Sequence, residues 1–206
     1  MDTPFPRPED GGPVLAVLEA GRLRTIPLAR REKWTLGRKT SQNQPDIPLT
    51  SKIAGRKHGE FFVIDGLWFY CDRGSRNGTL RGGRRLKPGL GGRAAPVMLR
   101  DGDALCIDCL PGGDPRGVLL LFLAGGLREG WSFRSLEGRT RLSIGQAALE
   151  LAAGRWRLSG TGVRLNGTPL EAPALLSERD CFLSGPFCGI FTGSGLYCTN
   201  RGEGEL

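Results

Sequence analysis

The apolar residues of this chain come in short runs that glycine and proline interrupt, and this pattern limits the folds open to it. The 206 residues include 33 glycines and 14 prolines, together more than a fifth of the chain. Runs such as residues 14–18, 60–64 and 118–123 have the length of strands and rarely show helical spacing. Asp65-Gly66 separates two such runs, which is a strong hairpin signal. The sequence therefore predicts an all-β fold.

Three turns between residues 36 and 79 combine cations with glycines. They contain Gly37-Arg38, Gly55-Arg56-Lys57-His58 and the segment 72–79. Phosphate recognition requires planar guanidinium donors, free backbone N–H groups and glycines that allow close approach. The second and third turns bracket the hairpin predicted around Asp65-Gly66, so they lie at the same end of it. The sequence therefore predicts an anion-binding site that the turns share.

These motifs resemble the forkhead-associated (FHA) family, phosphothreonine-peptide readers built as β-sandwiches. The family pattern is Gly-Arg, then Ser-Arg-x-His, then Asp-x-x-Ser-x-Asn-Gly-Thr, then Leu-x-Asp-Gly-Asp. This chain has Gly37-Arg38, Gly55-Arg56-Lys57-His58, the segment 72–79, and Leu99-Arg100-Asp101-Gly102-Asp103. Four motifs in the family's order make the resemblance specific for this part of the chain.

The resemblance assigns roles to ten residues. It implies that the phosphopeptide is bound by Arg38, Gly55, Arg56, Arg76 and Asn77. It implies structural roles in the site for Gly37, His58, Ser75, Gly78 and Thr79. The arginine fork matches a phosphate bidentately, and a carboxamide both donates to and accepts from a peptide backbone.

Gly55 departs from the family pattern, because the family uses a serine there to hydrogen-bond the phosphate. A lost hydrogen bond to a charged acceptor costs about 1.5–3 kcal/mol. We therefore expect phosphopeptide binding to be weakened, with Arg56 taking a larger share of it.

The second half of the chain reads as a shortened copy of the first. Residues 75–86 match 159–170 without gaps, and Gly66-x-Trp68 recurs as Gly154-x-Trp156. Leu99-x-x-x-Asp103 recurs as Leu176-x-x-x-Asp180. An internal repeat of about 85 residues explains these matches. In the copy Gln146 replaces Arg38, Thr161 replaces Asn77, and the basic turn has no room to exist.

The repeat predicts two tandem FHA-like β-sandwiches, the second of them shortened and without phosphate donors. The predicted division is a flexible leader at 1–12, an FHA domain at 13–124, a degenerate FHA-like β domain at 127–200 and a tail at 201–206.

Charge and cysteine content indicate the cellular compartment of the protein but do not identify its ligand. A net charge of +8 attracts anions through a field that salt screens. No run approaches the roughly 20 apolar residues of a membrane span, and no signal peptide is apparent, so we expect a cytoplasmic protein with reduced cysteines. Cys106 and Cys109 have the Cys-x-x-Cys spacing of zinc or redox sites, with ordinary strand cysteines as the alternative.

The sequence thus predicts a phosphothreonine-dependent protein-binding module, a signalling adaptor or scaffold without cofactor, metal or enzymatic activity. Its implied partner is a phosphothreonine-containing substrate of a Ser/Thr kinase. His58, the only histidine, has no nucleophile or metal ligand placed beside it by the sequence.

Two other functions stay open at this point. One is a pseudo-FHA scaffold that binds unphosphorylated partners or dimerises. The other is a basic nucleic-acid binder, although aromatic residues are not interleaved with its arginines. Those arginines are Arg22, Arg24, Arg30, Arg31, Arg81, Arg84, Arg85 and Arg93.

Overall fold

The computed structural model describes residues 12–28, 31–86, 94–107, 117–127 and 129–200. These residues form strands, turns and loops and contain no helix, so the all-β prediction is confirmed. Accordingly, no helix in the described part of the chain has the length and hydropathy of a membrane span. The described residues include Gly12 but no other residue of the predicted leader, and none of the predicted tail. They also leave out Arg30, Arg93 and Cys109.

The described residues contain 21 strands. The strands before residue 125 are β1 (Val14–Glu19), β2 (Arg22–Pro27), β3 (Lys33–Arg38), β4 (Ile47–Leu49), β5 (Gly59–Ile64), β6 (Leu67–Asp72), β7 (Thr79–Arg81), β8 (Arg84–Arg85), β9 (Val97–Met98), β10 (Ala104–Ile107) and β11 (Val118–Leu123). The strands after residue 125 are β12 (Ser132–Ser135), β13 (Arg141–Ile144), β14 (Ala147–Ala152), β15 (Arg155–Ser159), β16 (Val163–Leu165), β17 (Thr168–Pro169), β18 (Ala174–Leu175), β19 (Cys181–Ser184), β20 (Phe187–Phe191) and β21 (Gly195–Asn200).

The first eleven strands form two sheets that face each other. Sheet A has the order β2-β1-β11-β10-β7-β8, and sheet B has the order β4-β3-β5-β6-β9. Only β3 and β4 pair in parallel among the described strands. Leu15 and Phe122 of sheet A meet Trp34, Phe61 and Tyr70 of sheet B in a buried core. This pair of sheets is the first sandwich.

The other ten strands form a second sandwich with a related strand order. Sheet C is β13-β14-β15-β18, and sheet D is β12-β21-β20-β19-β16-β17. Their core includes Leu149, Trp156, Leu158 and Phe182. Sheet D repeats sheet A strand for strand, but the place of β1 is filled by β21, the last strand. The second sandwich is therefore a circularly permuted copy of the first, and it lacks a counterpart of β4.

Sheets A and D also pack against each other, so the four sheets stack in the order B, A, D, C. Successive residues of a strand face opposite sides of the sheet. In β11, Leu120 belongs to the core of the first sandwich, whereas Leu119 and Leu121 belong to a third buried cluster together with Leu183 and Ile190 of sheet D. This burial on both faces explains why β11 has no polar residue. Alternating hydrophobicity is lost when both faces of a sheet are covered.

Specific contacts fix the stacking of sheets A and D. The Trp131 indole donates to the Thr25 hydroxyl at 3.1 Å, and the Tyr197 hydroxyl donates to the Gly21 carbonyl at 3.0 Å. A β-carbon on Gly102 would lie 2.6 Å from the Leu183 side chain. Glycine at this position therefore allows the two sandwiches to approach closely.

Candidate functional site

The loops that follow β3, β4 and β6 meet at one end of the first sandwich, which we call the site end. The Arg38 amide donates to the Gly55 carbonyl at 2.8 Å. The Asn77 side-chain amide donates to the Ile53 carbonyl at 2.7 Å. The structure therefore brings together the three turns that the sequence analysis singled out.

Gly37 makes the approach of the first two turns possible. A β-carbon at this position would lie 2.0 Å from the carbonyl oxygen of Arg56 and 3.1 Å from that of Gly55. No side chain fits at that separation, so only glycine allows the end of β3 to lie against the backbone of the loop before β5. This contact places the Arg38 backbone beside Gly55 and Arg56.

Asn43, which the sequence analysis missed, joins the same two segments. Its side-chain amide donates to the carbonyl oxygens of Arg38, at 3.0 Å, and Arg56, at 2.7 Å. Asparagine is common in polar loops, and nothing in the sequence distinguishes Asn43 from the other amides of its loop. Its partners are known only once the loops are folded.

The Arg38 side chain is half-buried and keeps a donor unused. Its Nε atom is buried and has no hydrogen-bond partner among the described residues. Buried polar groups in folded proteins normally have a partner. Nε is therefore not engaged by a described residue, and the guanidinium of this partly enclosed side chain remains a donor group for an anion.

Arg56 is exposed and lies beside a shallow cavity of about 420 Å³. The other residues that line the cavity are Thr40, Gln42, Asn43 and Lys57. All five residues have polar or charged side chains, which suits a charged ligand.

His58 is fully buried beneath the turns of the site end and connects two of them. The Gly55 amide donates to its Nδ1 at 3.0 Å, so Nε2 carries the proton and faces the Thr79 hydroxyl at 3.3 Å. Burial lowers the pKa of His58, against the opposing effects of the Asp72 carboxylate and of a hydrogen bond to the Gly78 backbone. His58 is therefore neutral at pH 7 and acts as a fixed link between turns.

Thr79 and Asp72 complete a buried polar network. The Thr79 hydroxyl donates to the Asp72 carboxylate at 2.8 Å, so the Tyr70 hydroxyl donates to Thr79 at 2.8 Å. The Ser75 amide and hydroxyl both donate to Asp72 at 2.7 Å, and the Gly78 amide donates to the Ser75 hydroxyl at 3.0 Å. The network holds the turn before β7 in one conformation.

Gly55 has room for a larger side chain. Its nearest neighbours would lie 3.7 Å from an added β-carbon, which is ordinary van der Waals contact, and its φ is not in the left-handed region. The backbone would therefore accept the family's serine, and steric hindrance does not explain the glycine.

Arg76 and Asn77 are exposed at the tip of the turn before β7, and a further arginine lies against them. The Arg85 guanidinium packs over Gly78, where a β-carbon would lie 2.4 Å from its Nε. It also donates to the Arg76 carbonyl at 3.2 Å. No sequence motif places Arg85 in the site, although the tight Gly82-Gly83 turn that folds β8 back onto β7 is a usable signal.

The site end carries many cations that form no ion pair with another described residue. By contrast, Arg31, Lys33 and Arg73 pair with Asp46 or Glu60. The unpaired cations are Arg38, Lys39, Lys52, Arg56, Lys57, Arg76 and Arg85. Their combined field favours an anionic ligand at this end.

The corresponding end of the second sandwich is closed. A β-carbon on Gly160 would lie 2.2 Å from the Gln146 carbonyl, so the two turns are in direct contact. The amides of Gln146 and Ala147 donate to the Ser184 hydroxyl at 2.8 and 3.0 Å. Gln146 stands there in place of Arg38, and the contact between the two turns leaves no gap between them.

Several solved structures are similar to part of this chain. The chain is similar to the FHA domain of the CT664 protein of Chlamydia trachomatis, with 20% identity, 54% of this chain and 95% of that chain covered, and a TM-score of 0.41. It is similar to Rv1747 FHA-1 of Mycobacterium tuberculosis, with 27% identity, coverage of 55% and 98%, and a TM-score of 0.39. It is also similar to the yeast Pml1 splicing factor, with 20% identity, coverage of 54% and 78%, and a TM-score of 0.44.

No curated protein matches the chain significantly. The family model of the FHA domain matches residues 34–108, which run from Trp34 in β3 to just past the end of β10. Residues 34–108, within the first sandwich, therefore have the sequence of an FHA domain.

Proposed function

We propose that the site end of the first sandwich binds a phosphothreonine segment of a partner protein. The observation that carries this proposal is the position of Arg38. Gly37 sets its backbone against Gly55 and Arg56, and its buried Nε has no partner among the described residues.

In this proposal the dianionic phosphate replaces water between the loops. Arg38 binds it through its guanidinium fork, and Arg56 and Arg76 add positive charge from the two neighbouring turns. Asn77 uses one amide hydrogen on Ile53, so its carboxamide retains a donor and an acceptor for the backbone of the bound segment. The buried network around His58 and Asp72 positions these groups and does not contact the ligand.

A second function has one observation in its favour. Gly55 leaves the site without the hydroxyl that the FHA pattern supplies, so the affinity for phosphate is reduced. A pseudo-FHA scaffold that binds unphosphorylated partners would tolerate this change. The unpartnered Arg38 Nε and the unpaired cations of the site end favour the phosphate reader.

We also propose a role for the rest of the chain. Residues 127–200 form a degenerate FHA-like domain that covers sheet A of the FHA domain at 13–124, so the phosphopeptide site is carried by a single rigid unit. Such a molecule is a signalling adaptor or scaffold in the cytoplasm. Its partners are then substrates of a Ser/Thr kinase.

A phosphothreonine peptide library, probed with the wild type and with Arg38→Ala, tests the proposal. Calorimetry on the best peptides, phosphorylated and unphosphorylated, gives the affinities. We expect the wild type to bind only phosphorylated peptides and Arg38→Ala to lose them. Arg155→Ala, at an exposed arginine of the second sandwich, is the control and should bind as the wild type does. Equal retention by the wild type and Arg38→Ala would remove Arg38 from the site.

A further inference from the structure

The turn between β6 and β7 carries two exposed arginines, Arg76 and Arg85, which form no ion pair with a described residue. Arg76 lies in the turn itself, and Arg85 reaches back to it from β8. The Arg85 guanidinium lies over Gly78, which has no side chain to displace it, and donates to the Arg76 carbonyl at 3.2 Å. These contacts hold one guanidinium beside the backbone of the other arginine. We call Arg76 and Arg85 the arginine pair.

No carboxylate within the surrounding loops offsets this charge. The loops at 39–45, 50–58 and 73–78 contain no aspartate and no glutamate. The carboxylates that approach these loops from neighbouring residues already have partners. They are Asp46 with Arg31, Glu60 with Lys33 and Arg73, Asp72 with Ser75 and Thr79, and Glu19 with the amides of Thr50 and Ser51.

The second sandwich shows that the fold does not require the arginine pair. In the alignment of the two copies, Gly160 and Pro169 take the positions of Arg76 and Arg85. The β16–β17 hairpin nevertheless forms with the same register as the β7–β8 hairpin. The fold therefore tolerates uncharged residues at both positions, and the two charges are available for binding.

A single phosphate does not use all the positive charge of the site end. A phosphate monoester carries a charge of about −1.5 to −2 at pH 7, which Arg38 and Arg56 together match. The arginine pair adds two further cations beside Asn77, the residue expected to hold the backbone of the bound segment. Like charges held close together repel each other, and an anion bound between them removes this repulsion.

The arginine pair lies within reach of a segment that is bound at Arg38. The Arg38 amide and the Asn77 side-chain amide donate to the carbonyls of Gly55 and Ile53, which are two residues apart in one loop. Two residues of extended chain span about 7 Å, so with two hydrogen bonds of about 3 Å the two donors lie at most about 13 Å apart. About four residues of an extended bound segment cover that distance.

We propose that the bound segment carries a second anionic group and that Arg76 and Arg85 bind it. This inference rests on the proposed function, because it places the second anion on the same segment as the phosphothreonine. The group is a further phosphate or the carboxylate of an aspartate or glutamate, within about four residues of the phosphothreonine. Guanidinium groups bind both kinds of anion through paired N–H donors. The partner segment is therefore acidic or multiply phosphorylated.

Calorimetry on the full chain with a set of phosphothreonine peptides tests this inference. One peptide has neutral flanks, and in the others a phosphoserine or a glutamate is moved through about four positions on each side of the phosphothreonine. At the best position we expect the second anion to tighten binding about fivefold, the upper range for an exposed ion pair. Phosphoserine should gain more than glutamate because it carries more charge.

Salt provides a second measurement of the same gain. Raising the ionic strength from about 0.1 M to about 1 M shortens the Debye length from about 10 Å to about 3 Å. The ratio of the two affinities, with and without the second anion, should therefore fall toward one. A ratio that does not change with salt would overturn an electrostatic role for the arginine pair.

Arg85→Gln should also bring this ratio close to one. Arg84→Gln is the matched control, because it removes the same charge from the preceding residue, whose exposed side chain faces the other side of the sheet. The control should keep the ratio of the wild type. If Arg85→Gln weakens the binding of all phosphopeptides alike and keeps the ratio, Arg85 only supports the turn and the inference is overturned. Equal loss of the ratio in both variants would also overturn it, since the gain would then come from the overall charge.

The neutral-flank peptide separates this inference from the proposed function. If the wild type binds this peptide and a second anion adds nothing at any position, the inference fails and the proposed function stands. If the wild type binds unphosphorylated acidic peptides as tightly as phosphorylated ones, or binds none of the phosphopeptides, the proposed function fails and the inference fails with it.

Discussion

The backbone amide of Arg38 donates to the carbonyl oxygen of Gly55 at 2.8 Å, although the two residues lie on different loops. This hydrogen bond fixes the spacing between the arginine expected to bind phosphate and the position where the FHA family has a serine. It forms only because Gly37 has no side chain to separate the two segments. The geometry of the site is thus set by the backbone before any ligand binds.

Gly37→Ala should destabilise the protein and weaken phosphopeptide binding. The added β-carbon would overlap the Arg56 carbonyl, and forcing an extra methyl group into a packed position costs about 1–3 kcal/mol. Chemical denaturation measures the stability. Gly125→Ala is the control, because a β-carbon there meets nothing within 4 Å. Equal stability of Gly37→Ala and the wild type would contradict the close contact.

Gly55→Ser should strengthen the binding of phosphothreonine peptides. The serine fits without strain, and a hydrogen bond to a charged acceptor is worth about 1.5–3 kcal/mol, or roughly a 10- to 100-fold gain in affinity. Calorimetry with one phosphopeptide and its unphosphorylated form measures the gain. Gly55→Ala adds the same β-carbon without the hydroxyl and should gain nothing. A serine variant no better than the alanine variant would place Gly55 outside the reach of phosphate.

Acidification should destabilise the protein in the range where His58 titrates. Burial lowers the pKa of His58 in the folded state, below the value of about 6.5 in the unfolded chain. The unfolded state therefore binds more protons below pH 6.5, and stability is full above that pH and is lost as pH falls through the folded pKa.

Denaturation at several pH values between about 7 and 5 measures this dependence, and above pH 5 ordinary carboxylates remain ionised. His58→Gln is the comparison, because His58 is the only histidine of the chain. The variant should be less stable than the wild type at pH 7 and should show a flatter pH profile. An equally steep profile in the variant would assign the dependence to other groups.

Ile190→Ala should destabilise both sandwiches together. Ile190 is fully buried between sheets A and D, and truncation of a core isoleucine costs about 2–5 kcal/mol. Thermal unfolding should show one transition at a lower temperature, because the buried cluster joins the two halves. Leu151→Ala, at a position 41% exposed, should cost much less. Two separate transitions, only one of which shifts, would show that the halves unfold independently.

The sequence predicted the strands of the first sandwich and the residues of its site end with few omissions. Glycine and proline residues bounded each strand, and the Asp65-Gly66 hairpin fixed which turns lie at the same end of the sandwich. Asn43 and Arg85 were missed because their roles depend on backbone atoms of other loops. The sequence also did not predict that β11 is buried on both faces. A run of apolar residues does not show which element of the protein covers each face of its strand.

Local patterns therefore determined the β class, the hairpins and the motif residues Arg38, His58 and Asn77, because turn chemistry and strand alternation act between near neighbours in the chain. Only the tertiary structure decided that β21 takes the place of β1 in the second sandwich, that sheets A and D share a core, and that Phe62 and Phe69 face outward. These features depend on contacts between residues as far apart as Gly21 and Tyr197. Such contacts are selected by the packing of whole sheets, which no short stretch of sequence specifies.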